Sequence, residues 1–183
     1  MNRIPDQQLY TEIKKTAFIC IRCGTCCRET EPGSNLVLVS PGEVRRIMDA
    51  TSLTFDEVAV PYPDLIHDGD RRYTLGWALR REGDRCRFLG EEGCQIYQSR
   101  PWICRTYPFM LNNGSLITSP CNGIGTSADE EPVVINQMIQ DLIDRQRAEK
   151  AEEESITDVL TRVKIPAGKL VVIDGEGMRI ING

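Results

Sequence analysis

The chain has 183 residues, 40% of them hydrophobic and 27% charged, with a formal net charge of −5. That length supports one sizeable domain, or one domain with an appendage, whose core holds without disulfides. The acidic balance gives no broad attraction to nucleic acid, and no run of about 18 apolar residues marks a membrane span, so neither is expected as a partner.

The opening residues, "MNRIPDQQLYTEIKK", lack the basic start and apolar stretch of a secretory signal, so the chain is expected to be cytoplasmic. Residues 6 to 19 carry loose helical spacing (Leu9, Ile13, Ala17) that leads into "CIRCGTCC" at 20 to 27. "NLVLV" (35 to 39) reads as a strand. In "SPGE", Ser40 is an N-cap, Pro41 sits at the first helical position and Glu43 completes a capping box, which predicts a helix over 41 to 50. "TFDE" (54 to 57) repeats the capping signature for a short second helix, stopped by Pro61 and Pro63. From Arg71 to Arg81, Tyr73, Leu75, Trp77 and Leu79 alternate with small or polar residues, the pattern of a single half-buried strand.

The segment "CRFLGEEGCQIYQSRPWICRTYPF" (86 to 109) is turn-rich and interrupted by Pro101 and Pro108. Its irregular backbone is of a kind that fixed ligands organise. "GSLITSPC" (114 to 121) suggests a strand ending at the last cysteine, and "GIGTSADEEP" (123 to 132) a linker. Val134, Met138, Ile139, Leu142 and Ile143 then mark an amphipathic helix that runs into the solvated "RQRAEKAEEE". "SITDVLTRV" supplies another short helix, and "KLVVIDGEGMRII" reads as two strands around a glycine-containing turn. The expected fold class is α+β: a small, irregular cysteine-cluster domain over 1–128, followed by a C-terminal helical and β-hairpin extension over 129–183.

The eight cysteines carry the chemistry. In a reducing compartment they rarely form disulfides, and their clustering argues for metal or redox chemistry. They fall as Cys20, Cys23, Cys26 and Cys27 in the early run, then Cys86, Cys94, Cys104 and Cys121. Two residues between thiols let a tight turn bring both sulfurs to one centre. Three cysteines at successive spacings of that kind supply three corners of a four-iron cluster, with a remote cysteine as the fourth. Cys27 breaks a plain ferredoxin match, and the spacing is not that of radical-SAM enzymes. Neighbouring Cys26 and Cys27 are expected to point in different directions, so that the doubled cysteine divides eight sulfurs between two adjacent centres. One site of four cysteines with spare thiols is the alternative.

The flanking cations fit an anionic site. Arg22, Arg28, Arg85, Arg87, Arg100 and Arg105 lie within a few residues of a cysteine, and no lysine occurs between Lys15 and Lys150. Burying thiolates is costly unless their charge is offset, and arginine stays charged while donating several hydrogen bonds. Arg22, Arg28, Arg100 and Arg105 are the candidates for cofactor contact. Tyr97, Trp102, Tyr107 and Phe109 are placed to shield a cluster or simply to pack the core. His67, the single histidine, sits in polar "DLIHDGD" and is expected in an exposed loop.

"CIRCGTCC" together with the later "CQIYQSRPWICRTYP" block resembles the YkgJ-like cysteine-cluster family, the zinc- or iron-chelating CxxCxxCC domain, over roughly residues 18 to 122. The resemblance implies that all eight cysteines are metal ligands and that the "RP" and "CR" elements shape the site. The expected function is a metal-binding protein, most readily iron–sulfur of the 4Fe-4S type, acting in electron transfer or cluster handling for a protein partner. A zinc-stabilised interaction module without redox activity is the alternative. No Ser–His–Asp set, nucleotide loop or paired acid/base motif supports independent catalysis, so any enzyme role would be that of an iron–sulfur oxidoreductase component.

Overall fold

The computed structural model describes residues 6–126 and 132–181. It confirms a mixed α+β architecture of short helices and small sheets, closed by a long helix and a hairpin. Part of the expected linker over 123–132 lies outside the described residues.

Helix α1 (Asp6–Lys15) turns Leu9 and Ile13 inward, four residues apart and so on one face. It ends sooner than the spacing of 6 to 19 suggests, and Ala17 follows at a positive φ of 46°. Strand β1 (Leu38–Val39) is shorter than expected. Asn35, which opened the expected run, instead takes a φ of 54° and donates its side-chain amide to the Arg28 carbonyl at 2.8 Å.

Helix α2 (Pro41–Thr51) begins as its capping residues dictate: the Ser40 amide donates to Glu43 Oε2 at 2.9 Å while Ser40 Oγ accepts from the Glu43 amide. In α3 (Phe55–Val58) the Thr54 amide donates likewise to Glu57 Oε2 at 2.8 Å.

After β2 (Ala59–Pro61) and β3 (Ile66–Asp68), the single strand expected over 71 to 81 is two: β4 (Arg71–Leu75) and β5 (Trp77–Leu79). Gly76 separates them at φ 81°, a conformation that favours glycine, and sends each strand to its own sheet. The stretch read as irregular holds two minimal hairpins, β6 (Arg81–Glu82) with β7 (Arg85–Cys86) and β8 (Leu89–Gly90) with β9 (Gly93–Cys94). Helix α4 (Trp102–Thr106) and the hairpin of β10 (Phe109–Asn112) with β11 (Ser115–Thr118) follow.

Helix α5 (Pro132–Arg162) runs unbroken for 31 residues, so the two helices expected there are one. The "RQRAEKAEEES" between them contains neither glycine nor proline and is rich in strong helix formers. Strands β12 (Leu170–Asp174) and β13 (Gly177–Ile181) pair as the expected hairpin.

The larger sheet has the order β13-β12-β4-β3, with β12 parallel to β4, and the smaller has the order β1-β5-β2. The C-terminal hairpin is thus hydrogen-bonded into a sheet built from residues 66 to 75.

One core gathers Val39, Val44, Ile47, Trp77, Leu79, Phe88, Ile96 and Val172. A second gathers Leu9, Ile13, Phe18, Phe109, Ile135, Ile139 and Leu142. Each large side chain so buried contributes about 1.5–3 kcal/mol. A smaller third cluster, Val159, Val171 and Ile173, seats α5 on the larger sheet. No helix among the described residues is long and apolar enough to cross a membrane.

Candidate metal centre

All eight cysteines line one cavity of about 570 Å³, and none is in a disulfide. The cavity lies where the two main cores meet: Cys86 and Cys94 pack against the first and Cys121 against the second.

Backbone links explain how distant cysteines converge. Residues 25 to 27 form a 3-10 turn preceded by Gly24 at φ 73°. A Cβ on Gly24 would stand 2.8 Å from Leu89 Cδ1, and one on Gly93, at φ 105°, would stand 3.2 Å from Arg22 Cβ. These glycines let the early cysteine run lie directly on the β8–β9 hairpin that carries Cys94. Just after Cys27, Arg28 forms a β-bridge to Arg85, beside Cys86, and the Glu29 amide donates to the Asp84 carbonyl at 2.6 Å. Cys104 projects from α4, and Cys121 is held where the Ile19 amide meets the Gly123 carbonyl at 3.1 Å. Cys20, Cys23 and Cys26 are exposed while the other five are half-buried, so the cavity has an open side at the early run.

The sulfurs of Cys26 and Cys27 stand only 4.0 Å apart. The two side chains were expected to diverge, and instead they converge on one cavity. The tight 3-10 turn over residues 25 to 27 sets both thiols on the same cavity wall.

Five of the thiols are held above the ordinary thiol range. The neighbouring Cys27 thiol pushes Cys26 upward. Burial raises Cys104 most strongly among the inner thiols, and Cys86, Cys94 and Cys121 in the same sense. Cys23 differs. The Thr25 hydroxyl, 3.4 Å from its sulfur, and the Thr25 backbone hold its thiol below the usual range.

Of the four candidate arginines, the structure brings two to the cavity. Arg22 and Arg100 line it and stack on the Tyr97 ring, their guanidinium carbons 4.4 Å and 3.5 Å from its centroid. Arg28 and Arg105 do not line it, which corrects the cofactor contact expected of them. Arg28 pairs with Arg85 through its backbone alone, and Arg105 is turned away by an ion pair to Asp141 at 2.8 Å and by stacking on Trp102.

Among the aromatics, Tyr97 and Tyr107 line the cavity, whereas Phe109 is buried edge-on against Phe18 in the second core. His67 lies exposed as expected, though on β3 rather than in a loop, and does not line the cavity. Asn122 and Thr25 were not singled out by sequence. Asn122 Nδ2 reaches Thr25 Oγ1 at 3.3 Å and points toward Cys23, and adjacency to Cys121 was its only signal. Leu79 and Ile96 also line the cavity, and nothing in their sequence context distinguishes them from other core residues.

A donor set of thiolates alone suits soft metals, zinc and iron–sulfur clusters alike. Among the described residues no group of three His, Cys, Asp or Glu is gathered at the spacing that grips a single ion. The sulfurs instead surround a shared volume.

Residues 19–132 match the CxxCxxCC family, described as "Putative zinc- or iron-chelating domain". "Uncharacterized protein MJ0661" of Methanocaldococcus jannaschii is 31% identical over 106 residues, which cover 55% of this chain and 50% of that protein. The chain therefore spans about half the length of that curated relative. No solved structure matches it. With the matched span enclosing all the cysteines and more than half of the residues, the chain belongs to the CxxCxxCC family of zinc- or iron-chelating domains.

Proposed function

We propose that the thiol cavity holds a polynuclear iron–sulfur cluster and that the chain transfers electrons, or handles clusters, for a protein partner in a reducing compartment such as the cytoplasm. One observation carries the reading: eight thiols converge on one cavity of about 570 Å³. Four thiolates around a lone zinc ion stand about 2.3 Å from it and close on a point. By comparison, a cavity needs only roughly 10–15 Å³ to admit a water molecule. The volume here supports a multi-atom occupant.

A bound cluster would supply one-electron exchange. The chain's own residues set the conditions for it. Arg22 and Arg100 place positive charge beside the thiolates, and Phe18, Ile96, Tyr97 and Tyr107 wall the volume from water. The exposed Cys20, Cys23 and Cys26 leave the site reachable from the surface.

The 4.0 Å separation of the Cys26 and Cys27 sulfurs favours a second reading. Thiolates placed tetrahedrally about zinc are about 3.8 Å apart, so this pair suits one metal atom, and a zinc-stabilised interaction module follows. Anaerobic reconstitution with iron and sulfide separates the two. Broad visible absorption that bleaches on reduction, with iron and acid-labile sulfide in equal amounts, is the expected result. A colourless protein that takes up stoichiometric zinc overturns it in favour of the module.

A further inference from the structure

Helix α5 carries a stripe that the metal reading leaves unused. Glu149, Glu152, Glu153, Ile156 and Leu160 are spaced three and four residues apart, so they share one helix face. That face borders a second cavity, of about 510 Å³, whose opposite wall comes from β1, β4 and α4 through Leu38, Leu75, Trp102 and Ile103. The size is that of small-molecule sites, about 300–1,000 Å³. Its rim leaves apolar surface in water, with Leu38 50% and Leu160 36% exposed.

Charge selects the occupant. Arg145 is buried and already engaged, donating from Nε to Glu149 Oε1 at 2.6 Å and from Nη1 to Thr106 Oγ1 at 3.0 Å. Glu43 is used by the Ser40 and Trp102 amides. Glu152 accepts one bond, from the Gly175 amide at 2.7 Å, and among the described residues neither Glu152 nor Glu153 has a lysine or arginine partner. Burial, reinforced by Asp174, Glu176 and Glu43, holds the Glu152 carboxyl above the usual range. A half-buried carboxylate without a counterion is stabilised by any cation that arrives with a ligand. An anion would instead meet uncompensated carboxylates. A hydrated metal ion would face mostly apolar walls.

We infer that this cavity binds a small amphipathic organic cation, its ammonium group at Glu152 and Glu153 and its apolar body against Leu38, Leu75 and Trp102. The site is formed by this chain alone and does not depend on the metal reading.

Calorimetric titration of the full chain with n-hexylammonium, n-hexanol and hexanoate tests it, with Trp102 fluorescence as a second readout. Saturable hexylammonium binding at least tenfold tighter than hexanoate is expected. Glu152→Gln keeps the acceptor for the Gly175 amide while removing the charge, and should weaken the ammonium at least fivefold. The exposed Glu153→Gln should act in the same direction, and it serves if the first variant does not fold. Hexanoate binding as well as hexylammonium, no saturable binding of the ammonium at millimolar concentration, or full affinity in the folded variants would overturn the assignment.

Discussion

The Ile19 amide is bonded to the Gly123 carbonyl at 3.1 Å, joining the segment that enters the first cysteine run to the loop that leaves the last cysteine. A second bond, from the Gly125 amide to the Thr16 carbonyl at 2.9 Å, seals the same crossing. Glycine is required at 123 because a Cβ there would strike the Ile19 carbonyl oxygen and the Phe18 ring. Gly123→Ala should therefore pry the crossing apart, costing about 1–3 kcal/mol as overpacking does, and should lower metal content. Thermal melts of metal-free protein and metal analysis check it. An unchanged melting temperature with full metal loading would contradict the account.

The thiols differ in depth, and the difference should be measurable. Cys104 is enclosed on α4, whereas Cys23 stands at the exposed opening. Cys104→Ser is expected to abolish stoichiometric loading. Cys23→Ser should weaken metal affinity by about tenfold or more, since even outer-shell changes cost about 10–100-fold. Competition against a chelator of known affinity reads both. Equal loading of both variants with the unmodified protein would remove these cysteines from the ligand set.

Metal uptake should release protons. Cys26, Cys86, Cys94, Cys104 and Cys121 all lie above the ordinary thiol value in the free protein, so near neutral pH they bind metal only by losing a proton. Affinity should rise with pH throughout the neutral range and fall on acidification, with about one proton released per ligating thiol at pH 7. Titration in two buffers of different ionisation enthalpy measures that number. A pH-independent affinity would exclude these thiols as ligands.

Asp174 holds the first core from the opposite side. Its Oδ2 accepts the indole N–H of buried Trp77 at 2.7 Å, and Oδ1 accepts the amides of Glu176 and Gly177 in the β12–β13 turn. Asp174→Ala leaves that indole donor unsatisfied and should cost about 1–3 kcal/mol in a denaturant titration. Metal content per folded molecule should hold, because Asp174 does not line the thiol cavity. A loss of metal without a loss of stability would reverse the assignment.

The local grammar of the fold was legible in the sequence. Ser40 with Glu43 and Thr54 with Glu57 set two helix starts, and the hairpin around Gly175 followed from its turn residues. The parallel pairing of β12 with β4 was not legible, because a strand's partner across about 100 residues leaves no period in the chain. The break at Gly76 was hidden by an alternation that continues across it, since only a positive φ distinguishes one strand from two.

At the site, clustering identified the thiols, and the structure gathers all eight around one cavity. Proximity in sequence served less well for the arginines. Arg105 lies next to Cys104, yet on a helix neighbouring side chains diverge, and Asp141 draws it elsewhere.

The thiol cavity sits between two hydrophobic clusters, with Cys86 and Cys94 packed on one and Cys121 on the other. In small zinc-dependent folds the chain collapses only once the ion arrives. Here a bound metal would add its free energy to burial that both clusters already supply, as a tie across the junction between them.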